Sequence, residues 1–103
     1  MATNKEKLKL INATKMTIDQ LNTNFYAGVC KECTPFIINF EDIDFEAKTM
    51  FLKVFVFDAK LKFNYIRFYL GFYWKNDFWS PNTIDYIECE EVIEKYAKKC
   101  NCY

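Results

Sequence analysis

Histidine is absent from these 103 residues, serine and arginine occur once each (Ser80 and Arg67), and glycine and proline twice each. Without histidine there is no Ser–His or Cys–His nucleophile pair and no imidazole for acid–base work. Two glycines cannot make a phosphate-cradling loop. So little Gly and Pro also leaves no flexible linker, and the length fits one domain over 1–103. Charge of one sign is missing as well: 14 Lys+Arg stand against 14 Asp+Glu. A neutral chain offers no broad field for a polyanion. No run approaches the ~18–20 apolar residues of a membrane span, since Phe68–Trp74 is closed off by Arg67 and Lys75.

The chain is instead rich in aromatics, 19% of its residues. With 51% hydrophobic and 27% charged residues it is a folding sequence. Its polar start, Met1-Ala-Thr-Asn-Lys-Glu-Lys, does not read as a secretory signal, so the expectation is a cytoplasmic protein with no membrane association. There its five cysteines stay reduced. The bias towards Phe, Tyr, Ile, Asn and Lys suggests an AT-rich genome, a phage or a mobile element.

Residues 1–15 alternate loosely and read as a short strand or lead-in. Thr17 with Gln20 has capping-box spacing, Met16 and Leu21 fit a hydrophobic staple, and Ile18, Leu21 and Phe25 share a helical face. This predicts a helix over 18–28, stopped by Gly28. From Thr34 the period becomes two, with Phe36, Ile38 and Phe40 on one face. The phase then moves to Ile43 and Phe45, which implies a bulge or tight turn at Glu41-Asp42. Met50–Phe57 reads as a strand covered on both faces, and Asp58-Ala-Lys60 as a turn. A long strand follows from Lys62 to Trp74, bent at Gly71. Ser80-Pro81 opens a last helix carrying Tyr86, Cys89, Ile93, Tyr96, Ala97 and Cys100 along one stripe, with acids first and lysines last. The expected fold is α+β: a three- or four-stranded antiparallel sheet with an N-terminal and a C-terminal helix packed on one face.

Along the 62–74 strand the even positions Ile66, Phe68, Leu70, Phe72 and Trp74 are apolar and belong against the helices. The odd positions Phe63, Tyr65, Arg67, Tyr69 and Tyr73 combine rings with the lone guanidinium. Tyr and Arg are the residue types that dominate binding hot spots. These five residues are the candidate partner-binding face; a solvated sheet face or a homodimer seam is the competing use.

Cys30-Lys-Glu-Cys33 has a zinc-knuckle gap, and Cys100-Asn-Cys102 could close a four-thiolate site. Plain buried thiols are the preferred reading, so no metal and no cofactor are assigned. Asp42, Asp44 and Glu46 alternate and could share a face that holds Mg²⁺. Asp58-Ala-Lys60 after an apolar strand resembles the (D/E)-x-K pattern of restriction-endonuclease-like nucleases. That resemblance implies a Mg-dependent nuclease with Asp42 or Asp44 as the second metal ligand. Lys53, Lys60, Lys62 and Arg67 could make a basic patch for nucleic acid, against the neutral net charge.

The expectation carried forward is a small non-enzymatic binding module. Its partner is a protein, a host enzyme or defence complex inhibited by a phage or mobile-element product of anti-CRISPR or antirestriction type. A zinc-stabilised nucleic-acid-binding domain is the alternative.

Overall fold

The computed structural model describes residues 3–25, 36–57 and 65–96. Helix α1 spans Asn4–Phe25 and helix α2 Thr83–Tyr96. Between them lie strands β1 (Phe36–Asp44), β2 (Thr49–Phe57), β3 (Tyr65–Lys75) and β4 (Phe78–Pro81). The strands form one antiparallel meander in the order β1-β2-β3-β4. This is the expected α+β sheet, with four strands and the two helices on one of its faces.

Helix α1 is longer than the sequence suggests and begins fourteen residues before 18. Its N-cap is Thr3, whose hydroxyl accepts the Glu6 N–H at 3.2 Å, not Thr17. Thr17 lies mid-helix, buried, and donates its hydroxyl to the Ala13 carbonyl at 2.9 Å. Leu10, Ala13, Thr14, Thr17, Leu21 and Phe25 form one continuous buried stripe. Two threonines in that stripe disguise it, because each satisfies its hydroxyl on its own helix and can then be buried. Met16, assigned to a staple, is exposed. The predicted stop at Gly28 lies outside the described residues.

One sheet face is filled by β2's Met50, Leu52, Val54 and Val56, with Phe36 and Ile38 of β1 and Leu70 and Phe72 of β3 beside them. Burying such a side chain contributes about 1.5–3 kcal/mol, so this layer is the main source of stability. Both helices cover it. Cys89 and Ile93 of α2 join the same core as the α1 stripe, and the Phe25 and Tyr86 rings stack between the helices at 5.4 Å. The phase change in β1 is a bulge, with the register slipping between Phe40 and Asp42.

Strand β4 is absent from the sequence reading. Asn76 and Asp77 both have positive φ (53° and 65°) and join β3 to β4 as a two-residue turn of the kind hairpins favour. Ser80-Pro81 therefore ends a strand and does not open the last helix. Asn82 does that: its Oδ1 accepts the Ile84 N–H at 3.1 Å, and its carbonyl accepts the Tyr86 N–H at 3.0 Å. Trp79 of β4 is buried edge-on to Trp74, ring centres 5.0 Å apart.

Gly71 holds α2 to the sheet. Its N–H donates to Asp85 Oδ2 at 3.0 Å and its carbonyl accepts the Asn82 N–H at 2.7 Å. Because β4 pairs only with Phe72–Lys75, the start of α2 takes over the edge of β3 just where β4 ends.

Candidate functional site

Period-two alternation in β2 and β3 sends every odd side chain to the sheet face that neither α1 nor α2 covers. Register then puts Phe57 opposite Tyr65, Phe55 opposite Arg67, Lys53 opposite Tyr69 and Thr49 opposite Tyr73. Four of the five expected residues, Tyr65, Arg67, Tyr69 and Tyr73, lie together on this face. Phe63 lies outside the described residues. The three tyrosines are about half exposed: Tyr65 52%, Tyr69 48% and Tyr73 47%.

The neighbouring strand completes the surface and corrects the sequence reading. Strand β2 is covered on its even face alone; Phe51 and Phe57 are exposed on the other, and Phe55 is half-buried beside them. The signal was present in the alternation itself, with Phe at 51, 55 and 57 interleaved with Met, Leu and Val at 50, 52, 54 and 56. Aliphatic side chains fill the core and rings face outward.

The rings are ordered by one another. Tyr65 packs edge-to-face on Phe55 at 5.1 Å between centres and on Phe57 at 6.5 Å. Lys53 Nζ lies 5.6 Å from the Tyr69 ring centre, 5.9 Å from that of Phe55 and 3.0 Å from Glu41 Oε2. Its charge is thus matched on three sides. Phe51 fills the gap in the tyrosine row at Gly71, its Cε1 3.3 Å from where a Cβ on that glycine would stand. Phe78 of β4, opposite Lys75, extends the apolar surface on the same face.

The metal and nuclease candidates fare differently. Strand β1 stops at Asp44, so Glu46 does not continue the alternation with Asp42 and Asp44. The Asp44 carboxylate accepts the backbone N–H groups of Glu46 (3.0 Å) and Ala47 (2.9 Å), closing the turn to β2. Among the described residues no three His, Cys, Asp or Glu side chains are placed to hold a metal ion. Asp58, Lys60, Lys62 and the cysteines at 30, 33, 100 and 102 lie outside the described residues. Cys89 is buried in the core, and burial, reinforced by Glu90, pushes its thiol up to about 12. Such a thiol is a packing group rather than a nucleophile. Among the described residues no helix is long and apolar enough to cross a membrane.

No protein-family model, curated protein or solved structure matches this chain.

Proposed function

We propose that this chain is a non-enzymatic binding module that docks a protein partner through the open aromatic face of its sheet. The observation that carries the reading is a face bearing Tyr65, Arg67, Tyr69, Tyr73, Phe51, Phe55 and Phe57 that neither α1 nor α2 covers. Contiguous apolar surface of this kind is uncommon on a monomer with no partner. Rings already fixed by edge-to-face contacts lose little entropy on binding, which favours affinity.

Charge supports a protein over a nucleic acid. Rings alone could stack bases, but phosphate affinity depends on uncompensated cations. Here Lys53 is matched by Glu41, which among the described residues of this face leaves Arg67 and, at the strand end, Lys75. The finer form of the proposal is an inhibitor, encoded by a phage or mobile element, of a host enzyme or defence complex. It rests on small size, balanced charge and the AT-rich bias of the composition.

The test compares the chain with its Tyr65→Ala/Tyr69→Ala double variant, after native mass spectrometry of chelator-free protein. Support would be a metal-free monomer that retains one protein at a fixed ratio while the variant, melting at the same temperature, does not. Identical capture by both forms, or unfolding of the variant, overturns the reading. A metal-free dimer that the variant dissociates assigns the face to self-association. Salt-sensitive binding of single-stranded RNA, lost in the variant, assigns it to nucleic acid.

A further inference from the structure

Arg67 is the only arginine of the chain, and it stands inside the tyrosine row. Tyr65 and Tyr69 lie two positions away on the same side of β3, and Phe55 lies opposite it on β2. Arg67 is exposed. Lys53, in the next pair along this face, is held by Glu41 at 3.0 Å and by the Tyr69 and Phe55 rings. Among the described residues Arg67 has no ion pair, no hydrogen bond and no ring beneath it. The N–H fork of its guanidinium is uncommitted there. Strand β3 carries no acid. The acids of this face sit on β1, where Asp42 lies opposite Phe51 and Asp44 opposite Thr49. Two strand spacings, about 10 Å, separate β1 from β3, roughly the range over which salt screens exposed charges.

Any partner that covers the tyrosine row also covers this guanidinium, and burying an unpaired charge is costly. A wholly apolar partner surface binds against that cost, whereas one that brings an opposite charge removes it. We infer that the partner presents a carboxylate side chain, a glutamate or aspartate ringed by apolar groups, and that Arg67 receives it in a two-pronged hydrogen-bonded pair between Tyr65 and Tyr69. The inference rests on the docking reading above and names the chemistry that the face selects.

A carboxylate fits this position better than a phosphate does. The planar fork of arginine matches both. A phosphate, however, carries roughly two charges at pH 7, and it would meet one uncommitted cation here, with Asp42 and Asp44 farther along the same face. One carboxylate balances one guanidinium. Rings around such a pair exclude water and so strengthen it. Every other basic residue of the chain is lysine, so the fork is available at Arg67 alone.

The test is an NMR titration of the whole chain with the peptide Phe-Thr-Glu-Thr-Phe, blocked at both ends. Extended, it sets Phe, Glu and Phe on one side at the spacing of Tyr65, Arg67 and Tyr69. With one arginine in the chain, a single Nε–H signal reports the site. That signal should shift saturably, together with the ring signals of Tyr65 and Tyr69. Glutamine in place of glutamate should weaken binding by about fivefold, the upper end of what exposed ion pairs contribute. Arg67→Met, melting at the parent temperature, should bind both peptides alike, and Arg67→Lys should recover only part of the difference. No saturable shift, equal binding of the two peptides by the parent, or a difference that survives Arg67→Met overturns the inference. So does tighter binding of phosphoserine in place of glutamate, which would assign the site to phosphate. A dimer that Arg67→Met dissociates overturns it as well, by making a second copy the occupant. The docking reading is judged separately: equal binding of both peptides, lost together in Tyr65→Ala/Tyr69→Ala, sinks the carboxylate and keeps the face.

Discussion

The indole of Trp79 donates its Nε1–H to the carbonyl of Leu10 at 3.1 Å, tying the last strand to the first helix across 69 positions of sequence. The same carbonyl accepts the Thr14 hydroxyl at 3.0 Å, and that hydroxyl lies 3.1 Å from Met50 Sδ. A short strand, a helix and the central layer of the sheet are therefore joined through two adjoining oxygens, the Leu10 carbonyl and the Thr14 hydroxyl. Trp79→Phe removes the donor but leaves the carbonyl satisfied by Thr14, so the loss should fall near 1–2 kcal/mol, mixing one net hydrogen bond with lost packing. Trp79→Ala should cost about 3–5 kcal/mol. Urea unfolding of the two variants checks both; a Phe variant as stable as the parent would show that the hydrogen bond contributes nothing.

Gly71 is required by the space around it. A Cβ there would stand 3.1 Å from Asp85 Oδ2 and 3.3 Å from Phe51 Cε1. Asp85 cannot withdraw without giving up its bond to the Gly71 N–H. On its other side the added methyl meets the Phe51 ring, at 3.3 and 3.8 Å from two of its carbons. Gly71→Ala should therefore destabilise by about 1–2 kcal/mol through overpacking. Phe51→Ala should cost less in the Gly71→Ala background than in the parent, because the ring it removes is the clash. Additive losses would show that Phe51 yields freely and that the strain lies at Asp85.

How much of this was legible depends on whether local pattern or tertiary context decided each element. Period two along β1 and β3, the phase change at Glu41 and the charge gradient of α2 are local signals, and each marked its element. The amphipathic split of β3 also put Tyr65, Arg67, Tyr69 and Tyr73 on one face. Three features escaped for physical reasons. Thr14 and Thr17 hid the core stripe of α1, since a hydroxyl bonded to its own helix can be buried at little cost. Asn76-Asp77 lacks the glycine that usually marks a two-residue hairpin, which concealed β4. Finally, β2 looks uniformly apolar when hydrophobicity alone is read. Only the alternation of ring and aliphatic shape separates its outward Phe51, Phe55 and Phe57 from its buried Leu52, Val54 and Val56.

The hairpin at Asn76-Asp77 can be improved. Both residues hold positive φ, which costs a side chain more than it costs glycine. Asp77 also bonds Lys9 Nζ at 2.9 Å, an ion pair between side chains 58% and 76% exposed. Exposed pairs contribute little, at the low end of ~0–1 kcal/mol. Relief of backbone strain should outweigh that loss, so Asp77→Gly is expected to stabilise by a few tenths to ~1 kcal/mol. Lys9→Ala alone should be close to neutral. A destabilised Asp77→Gly variant together with an equally destabilised Lys9→Ala would show instead that the tie to α1 outweighs the turn.

Alkaline pH should reveal the one buried thiol of the described core. Burial raises Cys89 from 9.0 to about 12, with Glu90 adding to the effect. Tyr86 is raised above 10.0, first by burial, against the lowering from its hydrogen bond with Asn24, with Glu90 and Cys89 adding to the rise. Both groups hold their protons more tightly folded than unfolded, so the unfolded chain deprotonates first as pH increases. The stability they contribute is fully present below about pH 9 and is lost as pH climbs towards 12. Urea midpoints should accordingly be flat in the neutral range and fall from about pH 9 upward. Cys89→Ala should lower the neutral-pH stability by its cavity cost, about 1–2 kcal/mol. It should also flatten most of the alkaline slope, leaving the part that begins above pH 10 to Tyr86. A slope unchanged in Cys89→Ala would mean that the thiol ionises as readily folded as unfolded, and that α2 does not seal it from water.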